Sequence, residues 1–248
     1  MSFKGKKLAT DPPSTVHPSS ATPPAAPIRL PAKIPGADNN APRVLVAKAV
    51  DASKSVEAFG SEIAAGEAEM ARLLGEHRAA RLSVEVATAH IGAPPRLDPF
   101  RPAGEQPATP IAFTGGSPYG TTLDLVCGEL VRRADELAAA GIEVHRAYAV
   151  VIGDGRANSE STADAAKAVE RFRSLQDPSS LGLVVFPIAV GDADLGFLGR
   201  LSVGNAPKPL RDFDFRSLFR WLASVAVAAS VSQPGAKVKL PPTTEWEG

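Results

Sequence analysis

From residue 43 to residue 231, short apolar runs alternate with longer stretches of helical period. The run 43–50 opens on Val44, Leu45 and Val46 and predicts a first strand. Residues 59–77 follow with Ile63, Met70, Leu73 and Leu74 near helical spacing. A second strand is expected over 82–91, with Leu82, Val84 and Val86 on one face. A short third is expected around 97–100, inside the Pro-rich stretch 92–116. Pro118 fits the first turn of a helix striped by Leu123, Val126, Cys127, Leu130, Val131, Ala134 and Leu137. A strand at 146–152, a helix at 162–176 and a strand at 181–190 come next. One or two helical turns at 195–201 and an amphipathic helix at 215–231 close the series. The run 181–190 is almost continuously apolar, as a strand covered on both faces requires. This order predicts an α/β fold: a doubly wound, Rossmann-like, mostly parallel sheet between two helical layers.

Several residues cut across that pattern. Lys48 falls on the same strand face as Val44, Val46 and Val50, where an unpaired charge is costly, so it must snorkel or find an acid. Pro187 removes one ladder donor from the strand 181–190 and suggests a bulge or an exposed edge. Cys127 reads as core, and Trp246 sits in a polar stretch as a candidate partner anchor.

At 248 residues there is room for one medium α/β domain with a tail, or for two small domains. Residues 1–42 hold nine of the 23 prolines and almost no aromatics. Such a segment buries too little apolar surface to offset its ordering entropy, so a disordered, basic, Pro-rich arm is expected there. The division predicted is an arm at 1–42, a domain at 43–231 and a C-terminal tail at 232–248. The formal charge balances at 27 basic and 27 acidic residues, so no global field draws the chain to nucleic acid or to an acidic membrane. One cysteine excludes an internal disulfide framework, and no apolar run reaches the length of a membrane span. These features lead us to expect a cytoplasmic protein.

The candidate chemistry lies where strands end. Asp51-Ala52-Ser53-Lys54-Ser55 follows the first strand directly. It puts one carboxylate and two hydroxyls at the C-terminal edge of the sheet, where ligands of open α/β sheets bind. Thr114-Gly115-Gly116-Ser117-Pro118 precedes a helix, and Gly153-Asp154-Gly155 follows a strand. Carboxylates and hydroxyls are hard oxygen donors of the kind Mg²⁺ and Mn²⁺ prefer. The four histidines are scattered without ligand spacing.

These motifs resemble the metal-ion-dependent adhesion site of the von Willebrand factor type A (VWA) family, which joins Asp-x-Ser-x-Ser, a Thr and an Asp from three loops. Asp51, Ser53 and Ser55 match the first loop. Ser117 stands where the family usually has Thr, and Asp154 matches the last acidic position. Val190-Gly191-Asp192-Ala193-Asp194, Phe219-Arg220-Trp221-Leu222 and residues 235–242 look like the bacterial TerY-like branch. The resemblance implies a VWA fold and a Mg²⁺ or Mn²⁺ held by Asp51, Ser53, Ser55, Ser117 and Asp154. It also implies a protein partner offering an Asp or Glu to the ion, with no covalent chemistry. The TerY-like branch implies a place in a bacterial stress-response or signalling assembly.

Two other readings stand beside it. Lys54 replaces a small residue between the serines and Ser117 lacks the Thr methyl, so the chain could be a metal-free VWA scaffold with a vestigial site. The first strand ending in Asp51, with the later Gly153-Asp154-Gly155, also resembles a haloacid-dehalogenase-like phosphatase. Ser53, however, occupies the place of that family's second acid, and Arg156-Ala157-Asn158 follows where a paired Asp is expected.

Overall fold

The computed structural model describes residues 39–105, 110–233 and 236–248. The arm expected over 1–42 lies outside them up to residue 38. Among the described residues, six strands form the sheet: β1 (Arg43–Asp51), β2 (Val84–Ile91), β3 (Arg96–Pro102), β4 (Val144–Gly153), β5 (Val184–Ala189) and β6 (Lys208–Pro209). Their spatial order is β3-β2-β1-β4-β5-β6, and only β3 runs antiparallel to its neighbour. The order reverses beside β1, which puts the C-terminal ends of β1 and β4 at the switch point of the sheet.

Among the described residues, six α-helices cover it: α1 (Gly60–Glu76), α2 (Arg78–Ser83), α3 (Tyr119–Ala139), α4 (Thr162–Ser174), α5 (Leu195–Arg200) and α6 (Phe215–Ser230). Every residue of β1 is buried, and alternate positions feed two cores. Val44, Val46 and Val50 pack with Ile63, Met70 and Leu74 of α1 and Leu218, Phe219 and Leu222 of α6. Leu45, Ala47 and Ala49 pack with Leu123, Val126 and Leu130 of α3 and Val169 and Phe172 of α4. Each Val, Leu, Ile, Met or Phe among them contributes about 1.5–3 kcal/mol through burial. The architecture is the expected three-layer α/β/α sandwich. Among the described residues, no helix is long and apolar enough to cross a membrane.

The residues that broke the pattern are accommodated locally. Lys48 Nζ reaches Glu67 Oε1 of α1 at 2.7 Å and lies 5.2 Å from the centre of the Phe219 ring. Around Pro187, Val185 O accepts from Asn205 Nδ2 at 2.8 Å and Ala189 O accepts from Leu210 N at 2.8 Å. Residues 185, 187 and 189 therefore turn their backbone polar groups outward, away from β4. Pro187 lacks its donor on the side that short β6 barely covers, so the β4–β5 ladder is intact.

Two elements went unforeseen. His77, with φ −85° and ψ 112°, interrupts the helix expected to its end at 77, and α2 begins directly after it. Leu82 belongs to α2 rather than to a strand and is 43% exposed. β6 is two residues long, too short to leave a periodic signal. Residues 236–248, read from composition as a tail, pack back against the sheet. Trp246 is fully buried, edge-on to Trp221 with ring centroids 5.2 Å apart, so it is a core residue and not an exposed anchor.

Candidate metal centre

Asp51 ends β1 with only 2% of its surface exposed. Its Oδ1 accepts the Ser53 backbone N–H at 2.8 Å, which turns the chain immediately after the strand. The turn brings Ser53 Oγ and Ser55 Oγ to 2.7 Å from each other. Ser53 is buried and Ser55 is exposed, so the pair reaches from the strand end to solvent.

The second loop is stitched to the first. Thr114 N donates to Ala52 O at 2.8 Å, and Thr114 forms an isolated parallel bridge with Ser53. Gly116 then takes φ +91°, a conformation that L side chains rarely adopt, and delivers Ser117 to the start of α3. Ser117 is 3% exposed, and its hydroxyl has no hydrogen-bond partner among the described residues.

The third loop leaves β4 at Gly153. A Cβ there would stand 2.9 Å from Asp51 Cβ, so the strand end approaches Asp51 too closely for any side chain. Asp154 is half-buried; its Oδ1 accepts from Arg156 N at 2.9 Å and its carbonyl accepts from Asp194 N at 2.7 Å. Asp194 in turn caps α5 by accepting from Phe197 N at 2.9 Å. Arg156 turns outward to pair with Asp192.

Three residues that hold these loops together had not been singled out. Tyr119, the first residue of α3, is fully buried; its hydroxyl accepts from Gly155 N at 2.9 Å and lies 3.4 Å from Asp51 Oδ2. Asn158 accepts from Ser117 N at 2.8 Å and donates its own N–H to Ser117 O at 3.0 Å, which latches loop three to loop two. Glu160 accepts from Gly120 N at 2.7 Å and Thr121 N at 2.9 Å at the positive end of the α3 dipole. Their contacts span from 36 to 68 positions of sequence, and no local spacing announces them.

Burial pushes the Asp51 carboxyl above its ordinary pKa. Hydrogen bonds from Ser53 and from the Asp154 backbone pull it back, while the Asp154 charge pushes it further up. No basic side chain forms an ion pair with Asp51 or Asp154 among the described residues. Two neighbouring carboxylates without an ion-pair partner among the described residues, on loops that also carry Ser53, Ser55 and Ser117, are oxygen donors of the kind a hard divalent cation takes. Among the described residues, histidine, cysteine and carboxylates alone make no metal-holding cluster of three or more, so any such site there depends on the serines.

No protein-family model matches the chain, and no curated protein does. Solved structures do. The pilus adhesin SpaC from Lactobacillus rhamnosus GG, in its open conformation, superposes over 77% of this chain with TM-score 0.60 and 11% identity. A von Willebrand factor type A protein from Catenulispora acidiphila matches over 76% with TM-score 0.55 and 16% identity. Proximal thread matrix protein 1 from the mussel byssus matches over 75% with TM-score 0.52 and 14% identity. The chain spans 30%, 43% and 48% of the lengths of these three. At such identities the likeness concerns fold, and the fold is that of VWA-type domains.

Proposed function

We propose that this chain is a non-enzymatic protein-interaction module. It holds Mg²⁺ or Mn²⁺ through Asp51, Ser53, Ser55, Ser117 and Asp154 and offers the ion's open position to an Asp or Glu of a partner protein. The reading rests on one observation above others: the buried Asp51 carboxyl lies in the field of Asp154 with no basic side chain paired to either. A bound divalent ion supplies the missing positive charge and attracts an external carboxylate. The chain's own part is to fix the donors. Ser53 N–H orients Asp51, Gly116 and Asn158 position Ser117, Gly153 lets β4 approach β1, and Gly155 lets the loop pass close to Leu198 and the Asp194 carbonyl.

Ser53 at the second position after Asp51 leaves a phosphoaspartyl route without its general acid, which supports a binding role over a phosphatase. The TerY-like resemblance extends the reading to a cytoplasmic stress-response or signalling assembly. Capture of a partner that is lost on chelation tests that extension; capture indifferent to chelator counts against it.

The metal itself is tested by calorimetric titration of Mg²⁺ and Mn²⁺ into the full chain, beside an Asp154→Ala variant of matched melting behaviour. Saturable binding that vanishes in the variant is the expected result. A folded wild type that binds neither ion overturns the proposal.

A further inference from the structure

A cavity of about 510 Å³ opens between α1 and the β1–β2–β3 end of the sheet. Its origin is the seating of α1. A Cβ on Gly66 would lie 3.0 Å from Phe215 O, so this glycine lets α1 close tightly on α6. The opposite flank of α1 carries Ala64, Ala68 and Ala71, which are too short to cover β2 and β3. No α6 residue lines the cavity.

The floor is polar where the pattern calls for apolar residues. Lys48, Thr88 and Asp98 lie in register across β1, β2 and β3, and His90 stands two positions beyond Thr88 on the same face. His90 is 4% exposed, yet its Nε2 has no hydrogen-bond partner among the described residues. The nearest carboxylate oxygen, Asp98 Oδ2, is 3.6 Å away, too far for a hydrogen bond and close enough for one small group to contact both. Burial keeps the imidazole below its ordinary pKa and therefore uncharged at neutral pH.

We infer that this cleft is a second binding site, which takes an uncharged, mainly apolar molecule bearing one hydroxyl. The apolar walls and the volume fit a compact ring system. The hydroxyl lies between His90 Nε2 and Asp98 Oδ2, where it donates its one proton to the Asp98 carboxylate and accepts from the imidazole in its Nε2–H tautomer. Charge argues against an ionic ligand. Around the cleft Lys48 is paired with Glu67 at 2.7 Å, Asp98 accepts from Arg96 at 2.8 Å through the same Oδ2, and Arg101 is itself engaged. An added ammonium meets Lys48 and an added carboxylate meets Glu67 and Asp98, each without a free counter-charge.

The test is titration of the ¹⁵N-labelled full chain with naphthalen-2-ylmethanol, 2-naphthoate and naphthalen-2-ylmethylammonium, following backbone and imidazole resonances. The alcohol should shift residues of β1, β2, β3 and α1, His90 included, and bind about fivefold or more tighter than either ion. Ala68→Phe, or Ala64→Phe if the first variant folds poorly, should abolish binding by filling the cleft. His90→Phe should remove the preference for alcohol over naphthalene, and Asp154→Ala should leave binding unchanged. The inference is overturned if the alcohol produces no saturable shifts in these strands, if the charged probes bind equally well, or if binding survives in a folded cleft-filling variant.

Discussion

Tyr119 places its hydroxyl 3.4 Å from Oδ2 of Asp51 while accepting a hydrogen bond from Gly155 N at 2.9 Å. One phenol thus joins the ends of β1 and β4 from the first residue of α3. Burial raises its pKa well above the ordinary tyrosine value, so it remains a neutral O–H able to donate to a carboxylate. Tyr119→Phe removes both contacts and leaves Gly155 N without its partner, at a cost of about 1–3 kcal/mol. We expect the variant to fold, to melt at lower temperature, and to bind Mn²⁺ about threefold to tenfold more weakly than wild type. Unchanged Mn²⁺ affinity in calorimetry would show that the phenol is structural only.

At the other end of β1 lies a buried ionic cluster. Glu85 Oε1 accepts from Arg43 Nε at 3.1 Å and Arg133 Nη2 at 2.8 Å, and its Oε2 accepts from Arg133 Nε at 2.6 Å. All three residues are at most 2% exposed. Glu85→Ala removes the carboxylate that these two buried guanidinium groups share, leaving Arg133 its pair with Glu136 and Arg43 its bonds to Asn39 and Ala41; removing one partner of a buried pair costs about 3–5 kcal/mol. Urea denaturation should show a midpoint lowered accordingly. A loss below about 1 kcal/mol would mean that water enters and solvates the arginines.

The elements that one stretch of chain specifies by itself were legible in the sequence. β5 announced itself as an almost continuous apolar run because both its faces are covered, and α3 and α6 did so through their stripes. The loop motifs around Asp51, Ser117 and Asp154 were visible as residue types placed after predicted strands or before a predicted helix. What could not be read was anything set by distant partners. Tyr119 resembles any other apolar residue at a helix start until β4 is brought against β1. Glu85 is a single acid inside an apolar stretch, and only the fold brings Arg43 and Arg133 onto it. Lys48 was legible as a problem, but its solution at Glu67 depends on how α1 is seated over the sheet.

Cys127 offers a direct readout of opening. Its thiol is fully buried against the α3–sheet core, and burial pushes its pKa from 9.0 up to about 12. The unfolded chain ionises first, so the native state holds more protons between these values. This group therefore lowers stability as pH rises through that window and has no effect below it. At pH 8 a thiol-reactive disulfide should label the native protein only through unfolding, at a rate that rises with urea. Rapid labelling without denaturant would place the thiol at a locally open surface instead.

Trp246 tests whether the last residues are part of the fold. Its ring is fully buried, it meets Trp221 edge-on, and Trp221 Nε1 donates to Pro241 O at 3.0 Å. Glu247 adds an ion pair with Lys208 of β6 at 2.5 Å and a bridge to Leu210. The segment 236–248 thus closes the edge of the sheet that two-residue β6 leaves thin. Trp246→Ala should destabilise the protein by about 3–5 kcal/mol through lost burial and a residual cavity. A chain ending at residue 231 should be less stable still, because it exposes Trp221 and the face of Phe186 beneath it. The comparison is made by thermal melting of the full chain, the point variant and the shortened chain. If the shortened chain melts like wild type, the segment lies on the surface without stabilising it; if Trp246→Ala reproduces most of the loss, that one ring is the anchor.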